Sequence, residues 1–139
     1  MFTVTREYQF DAAHRLLGHK GKCKNLHGHR YTVVTTFSST TLNPEGMVID
    51  YGDIDSIFKV VVEPCDHATL VSTDDTELER FAASCGSRLV LVQGPTTAET
   101  LAKVFYHAII RHGLPKGLCL RQVEVRETPR SSACYQGQL

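Results

Sequence analysis

Residues 10–31, FDAAHRLLGHKGKCKNLHGHRY, decide how this chain folds and which chemistry it can carry. Side chains alternate between the two faces of a β-strand, so a strand that begins at His27 directs His27 and His29 to the same face. The run at residues 2–14 shows the same alternation, with its more apolar residues at even positions. An antiparallel hairpin of these two strands would bring His14 close to the other two histidines.

Three histidines in this arrangement indicate a metal site. Two residues span about 6.6 Å along a strand and imidazole nitrogens bind zinc at about 2.0–2.1 Å, so His27 and His29 can reach one ion. Gly28 between them leaves room for close approach of the backbone. Imidazole also suits copper, iron and nickel, but three neutral histidines with an open fourth position are the pattern of catalytic zinc. We therefore predict a Zn²⁺ site formed by His14, His27 and His29.

Cys23 lies in the loop between the two predicted strands, beside the histidines. As a free thiol it would be a base or nucleophile next to an open metal position, whereas as a fourth ligand it would close the site and make it structural. His19, in the same loop, is a further candidate ligand, although its surroundings are typical of an exposed loop. Both roles of Cys23 are compatible with the sequence.

Composition indicates one ordinary globular domain over residues 1–139. The 15 basic residues balance the 15 acidic ones, which is unlike the excess of positive charge in nucleic-acid binding proteins. The amino terminus lacks an apolar signal-peptide core, and no run approaches the roughly 20 apolar residues of a membrane helix. The five cysteines are scattered and form no CxxC pair, which favours reduced thiols. We predict a cytoplasmic protein that binds neither nucleic acid nor membranes.

The rest of the chain predicts helices on one face of an antiparallel sheet. One helix follows Asp53, a plausible N-cap, and stops at Pro64, and the last helix opens near Thr96. Residues 118–128 form a strand, and residues 132–137 form a short final one. The pattern is α+β, with a four-stranded antiparallel sheet and two main helices on one face.

Between the two main helices lies a segment that we interpret as a peripheral insertion, at about 71–94. It contains a predicted short helix at 74–86, where Thr76 and Glu79 have the spacing of a capping box, and a predicted strand at 88–93. No catalytic motif is evident within it.

Three further features are candidates for chemistry. Asp66 and His67 form either a local cap with a surface histidine or an acid/base pair in which the carboxylate orients the imidazole. Glu127 ends the more apolar row of its strand, where a salt bridge to an arginine or a ligand with paired N–H donors would satisfy it equally well. Glu99 is a candidate capping partner of Thr96.

The motifs FDAAH, CKNLHGHRY, GMVIDYGD, DHATL, PTTAET and VRET follow one another along nearly the whole chain. In this combination they resemble the 6-pyruvoyltetrahydropterin synthase superfamily. The resemblance implies the tunnelling fold (T-fold), in which sheets of several subunits join into a barrel, trimers stack into homohexamers and active sites form between subunits. It also implies zinc ligation by His14, His27 and His29, catalysis by Cys23, Asp66 and His67, and substrate binding by Glu127, Thr97 and Glu99.

The three-residue gap between Cys23 and His27 resembles the bacterial 6-carboxytetrahydropterin synthase branch of queuosine biosynthesis. It implies a lyase that converts 7,8-dihydroneopterin triphosphate to 6-carboxy-5,6,7,8-tetrahydropterin and releases acetaldehyde and triphosphate. A 6-pyruvoyltetrahydropterin synthase or related pterin enzyme, and a non-enzymatic module stabilised by zinc, are the alternatives. The 71–94 segment is longer than the corresponding link in compact members of the superfamily, and we expect it to alter the barrel rim or the substrate entrance.

Overall fold

A computed structural model describes residues 1–137; the last two positions of the predicted 1–139 domain, 138 and 139, lie outside the described residues. The strands are β1 (Phe2–His14), β2 (His27–Ser39), β3 (Ala68–Ser72), β4 (Leu89–Val92), β5 (Cys119–Thr128) and β6 (Ser131–Gln136). The α-helices are α1 (Tyr51–Val61), α2 (Thr76–Ser84) and α3 (Ala98–His112). None of these helices combines the length and apolar character that a membrane crossing requires.

All strands of the described chain join one six-stranded sheet in the order β4-β3-β1-β2-β5-β6. β1 and β2 form the predicted antiparallel hairpin, in which His14 faces His27, and β5 and β6 continue it in antiparallel fashion. β3 pairs in parallel with β1, and β4 pairs in parallel with β3. The α+β class is therefore confirmed, but the prediction of four antiparallel strands is wrong, because two parallel strands extend one edge.

The main core lies between the sheet and the helices α1 and α3. Ile54 and Phe58 on α1 and Leu101 and Phe105 on α3 are buried in it, as the helical periodicity predicts. Phe10 on β1 stacks on Tyr31 of β2, with ring centroids 5.0 Å apart. Alternation of buried and exposed residues along β1 and β2 leaves their other face polar.

The helix α2 packs against the opposite face of the sheet edge. Every residue of β3 is buried, so both faces of that strand are covered. Leu70 belongs to the main core, whereas Val71, Leu78 and Ala82 are buried outside it. The two main helices α1 and α3 therefore share one face as predicted, and the short helix α2 of the 71–94 segment lies on the other.

The helices begin at caps other than those that the sequence suggested. Asp50 accepts a hydrogen bond from the Gly52 amide at 2.6 Å. The first turn of α1 therefore starts before Asp53. Asp75 and Thr97 likewise accept hydrogen bonds from amides in the first turns of their helices, so that Asp50 replaces Asp53, Asp75 replaces Thr76, and Thr97 replaces Thr96 as the N-cap.

Candidate metal centre and active site

The hairpin of β1 and β2 brings three histidines together at its open end. One ring nitrogen from each of His14, His27 and His29 lies within 4.8 Å of the others. The Nε2 atoms of His27 and His29 are 3.1 Å apart. Two nitrogens bound to one tetrahedral zinc ion lie about 3.4 Å apart, so small side-chain movements would bring all three to a common ion.

Within residues 1–137, one ring nitrogen of His14 is hydrogen-bonded, and the other is not. Its Nδ1 donates to the carbonyl oxygen of Thr96 at 2.8 Å, which leaves the lone pair on Nε2. That Nε2 atom is buried and has no hydrogen-bond partner among the described residues. A buried polar atom without a partner is costly, and a metal ion would remove the cost.

A backbone carbonyl also orients the ring of His27, which is less buried than His14. Its Nδ1 donates to the carbonyl oxygen of Asn25 at 2.7 Å, so its Nε2 also presents a lone pair. Gly28 permits the close pairing with β1, because a Cβ at this position would lie 3.3 Å from the carbonyl oxygen of Ala12. The donor set is three imidazole nitrogens, which fits zinc.

Burial favours the neutral form of two of the three histidines. It lowers the pKa of His14 from 6.5 to about 4, with smaller contributions from His27 and His29, and the hydrogen bond to Thr96 opposes this shift. Burial and the neighbouring His27 also lower the pKa of His29. Metal ions bind the neutral form of imidazole. His14 and His29 therefore need not lose a proton to bind a metal ion at pH 7.

The stability of the metal-free protein should consequently depend on pH. The unfolded chain takes up a proton on His14 near pH 6.5 and the folded chain only near pH 4, so the free energy of unfolding should fall as the pH drops through this window. The loss should be on the order of 3 kcal/mol and level off below the folded pKa. Urea unfolding in the presence of EDTA at several pH values measures it.

The control for that measurement is His14→Asn, because the asparagine amide keeps a donor towards the Thr96 carbonyl but does not titrate. We expect a shallower pH dependence for this variant. Equal pH dependence in the variant and the unchanged protein would contradict the assignment of the effect to His14.

Cys23 is a half-buried free thiol in a single 3₁₀ turn at Lys22–Lys24. Its carbonyl oxygen accepts a hydrogen bond from the Leu16 amide at 2.8 Å, which closes the loop between β1 and β2. Cys23 is not part of the metal-binding group formed by the described residues. His19 is exposed, and its Nδ1 accepts from the Gly21 amide, so it is not a ligand in this arrangement.

Glu127 lies beside the histidines at the end of β5. Its Oε1 is 4.0 Å from Nε2 of His14, and no arginine or lysine pairs with it among residues 1–137. Burial raises the pKa of Glu127, and the charge of Glu99 adds to this effect. A cavity of about 550 Å³ borders both Glu127 and His29. The Glu127 carboxylate is thus a half-buried acceptor that borders a cavity and has no arginine or lysine partner among residues 1–137.

Asp66 and His67 form the pair that the sequence suggested. Asp66 accepts from the Asp11 amide at 3.0 Å, and its other carboxylate oxygen is 3.0 Å from Nδ1 of His67. The amide of Asp11 and the adjacent imidazole lower the pKa of Asp66, the amide contributing most. His67 has a φ of 56°, in the left-handed region that is uncommon outside glycine.

Within residues 1–137 of one chain, the Asp66–His67 pair and the Cys23 thiol do not form a complete active site. His67 and His29 line the same open depression of about 500 Å³. However, none of the hydrogen bonds and ion pairs in the described part of the chain joins Cys23 to Asp66 or His67.

Two residues near the metal centre escaped the sequence analysis. The sequence predicts Thr96 as a helix cap, but its carbonyl oxygen accepts a hydrogen bond from His14. Thr97 caps α3 instead. Glu99 forms no hydrogen bond with either threonine in the described structure. Tyr31 lies edge-on against His14 and His29, and its buried hydroxyl has no partner among residues 1–137. Its position on the histidine face of β2 is the signal that could have identified Tyr31.

Sequence and structure comparisons place the chain among pterin enzymes. Residues 3–138 match the model of the family described as 6-pyruvoyl tetrahydropterin synthase. A 6-carboxy-5,6,7,8-tetrahydropterin synthase of Haemophilus influenzae is 34% identical over 98% of this chain and 99% of that protein. A 6-pyruvoyl tetrahydrobiopterin synthase of Drosophila melanogaster is 32% identical over 96% of this chain and 79% of that protein.

The fold agrees with this assignment. The solved structure of 6-pyruvoyl tetrahydropterin synthase from Caenorhabditis elegans superimposes with a TM-score of 0.73 and 26% identity, covering 99% of this chain and 96% of that one. The chain therefore belongs to the 6-pyruvoyl tetrahydropterin synthase family and is an enzyme of the lyase type.

Proposed function

We propose that this enzyme converts 7,8-dihydroneopterin triphosphate to 6-carboxy-5,6,7,8-tetrahydropterin, with release of acetaldehyde and triphosphate, in the synthesis of the queuosine precursor. The observation that carries the proposal is the convergence of His14, His27 and His29, with a buried Nε2 that lacks a partner, in a chain whose relative from Haemophilus influenzae bears this product's name. The free thiol of Cys23, on the loop that leads into His27, supports chemistry rather than a purely structural site.

The three histidines would hold zinc. Their imidazole nitrogens, with the Thr96 carbonyl bonded to His14 and the Asn25 carbonyl bonded to His27, are the ligand set and outer support that zinc prefers. Zinc bound there would act as a Lewis acid on the oxygens of the substrate side chain, which makes the adjacent C–H bonds more acidic.

Cys23 is the base in this proposal. Its thiolate removes a proton from the activated side chain, and a neighbouring cation favours the thiolate form. His67, oriented by Asp66, returns or relays protons during the tautomer shift and the elimination of triphosphate. Because no contact within the described chain joins His67 to Cys23, we propose that the two act together across a subunit boundary in a homohexamer.

Glu127 anchors the pterin ring. A carboxylate can accept two parallel N–H donors, and the pterin offers them at its 2-amino group and ring nitrogen. The cavity beside Glu127 and the lack of a cationic partner in residues 1–137 support this role. We also propose that Thr97 and Glu99 line the pterin pocket, since Glu99 is close enough to affect the pKa of Glu127.

Glu127→Gln should weaken substrate recognition. The change keeps the size of the side chain but replaces one acceptor by a donor, which opposes a pterin N–H. Loss of charge-assisted hydrogen bonds should lower kcat/KM about 10- to 100-fold, mostly through KM. Steady-state kinetics with zinc-loaded protein measure the effect. Glu124→Gln is the control, because Glu124 lies on the same strand but pairs with Arg126. Equal kinetics for Glu127→Gln and the unchanged protein would contradict the anchor.

The second candidate is a 6-pyruvoyltetrahydropterin synthase. The relative from Drosophila melanogaster bears a related name at an identity similar to that of the bacterial relative. The two activities start with the same proton transfers and differ in whether the side chain is cleaved. Residue geometry near zinc therefore does not separate them, and their products do.

The deciding experiment is incubation of the purified, zinc-loaded protein with 7,8-dihydroneopterin triphosphate. We expect acetaldehyde and a carboxypterin in equal amounts, identified by derivatisation and mass spectrometry. A pyruvoyl product without acetaldehyde would support the second candidate, and absence of both would contradict the proposal. The free state of all five cysteines supports a cytoplasmic setting for the reaction.

A further inference from the structure

The helix α2 of the 71–94 segment is bonded directly to the strand end that carries His14. Arg15 follows His14, and its Nε and one Nη donate to the two carboxylate oxygens of Asp75 at 2.7 and 2.6 Å. Asp75 is the N-cap of α2 and is only 2% exposed. A bidentate pair between charged groups is short and fixes the relative orientation of its partners.

Arg15 also contacts the support of His14 through its backbone. The Thr96 hydroxyl donates to the carbonyl oxygen of Arg15 at 3.2 Å, while the Thr96 carbonyl accepts from His14 at 2.8 Å. Thr96 is 1% exposed, so it is fixed from both sides within the core. A shift of Arg15 would therefore move the carbonyl that sets the tautomer and direction of the His14 ring.

The loop with the thiol starts from the same point. Leu16, the next residue, donates its amide to the carbonyl oxygen of Cys23 at 2.8 Å. The ion pair with Asp75 thus holds the residue from which the chain runs in one direction to a metal ligand and in the other to the thiol loop. An ion pair that only stabilised α2 would not need to lie between the metal ligand and the thiol loop.

We propose that Arg15 and Asp75 are positioning residues, which align His14 and the Cys23 loop for the reaction; this rests on the metal site and the thiol role of the proposed function. The 71–94 segment then stabilises the geometry of the active centre, in addition to extending the sheet. Neither residue touches the substrate in this scheme. Their effect passes through Thr96 and Leu16.

Asp75→Asn tests the proposal, because asparagine keeps the size and capping ability of aspartate but removes the buried charge that binds Arg15 at two points. The exposed Glu77, 3.4 Å from the same guanidinium, does not replace this contact. We expect zinc affinity, measured by competition with a chelating dye, to fall about tenfold. The absorption bands of the Co²⁺-loaded protein should shift, since they report the ligand geometry. Alkylation of Cys23, followed by mass spectrometry of its peptide, should accelerate about threefold as the loop loosens.

Asp50→Asn is the matched control, since Asp50 caps α1 and has no contact with Arg15. It should leave zinc affinity, the Co²⁺ spectrum and Cys23 alkylation unchanged. Arg15→Lys keeps the charge but loses the two-pronged contact, so it should show the same changes as Asp75→Asn to a smaller degree. It decides the question if Asp75→Asn does not fold.

Wild-type zinc affinity, spectrum and alkylation rate in the folded variants would overturn the positioning role. These measurements need no substrate, so they remain informative if the predicted product is not found. Unchanged protein that bound no zinc would contradict the metal site itself, and with it both proposals.

Discussion

His29→Ala should reduce zinc affinity at least about 100-fold and abolish turnover. Each ligand contributes a large share of the binding free energy of a three-histidine site, and two nitrogens cannot complete it. His29 is the most suitable of the three histidines for this test. His14 is fully buried within the core, and its removal would also leave a cavity, whereas His29 is only partly buried. Dye competition and metal analysis after dialysis measure the loss.

The control for His29→Ala is His19→Ala. His19 lies in the loop that joins β1 to β2, and it is exposed and bonded to the Gly21 amide instead of to the cluster. Its removal should change neither zinc content nor turnover. If His19→Ala lost zinc and His29→Ala kept it, the ligand set proposed from the hairpin geometry would be wrong.

Cys23→Ala should lower kcat by about 10²–10⁴ and leave zinc bound. A positioned base typically contributes a factor of this size, and the alanine side chain cannot accept a proton. His14 keeps its contact with Thr96 and His27 its contact with Asn25 in the variant, so the ion should stay. Metal content, thermal unfolding and single-turnover kinetics on the same sample separate these effects.

Cys85→Ala is the matched control, because Cys85 is an exposed free thiol at the end of α2. It should have the turnover of the unchanged protein. Loss of both zinc and folded structure in Cys23→Ala would instead identify Cys23 as a fourth ligand, and would support the structural module over the enzyme.

Strand alternation in β1 and β2 was sufficient to place the three histidines on one face. The period of two is a local property, and a long hairpin with one buried face permits only one register, because a shift by one residue would expose Phe10 and Tyr31. The apolar faces of α1 and α3 followed from helical periodicity in the same way. These features depend on neighbours a few residues apart.

The sequence did not predict β3, because its burial carries no period, although it did predict β4 at 88–93. All residues of β3 are buried, and a short run covered on both faces lacks alternation. Its partner in the sheet is β1, far away in the chain, and this parallel pairing has no local signature. The N-caps shifted for a simpler reason, since several adjacent residues of capping type compete for each helix start.

The sequence by itself determined the hairpin, the common face of His14, His27 and His29, and the family, because these follow from local periodicity and from ordered motifs. Tertiary structure alone decided that Thr96 supports His14, that Glu127 borders a cavity and forms no ion pair with an arginine or lysine among residues 1–137, and that Asp75 reaches Arg15. Those contacts join residues far apart in the chain, and their geometry exists only once α2 and α3 have packed against the sheet.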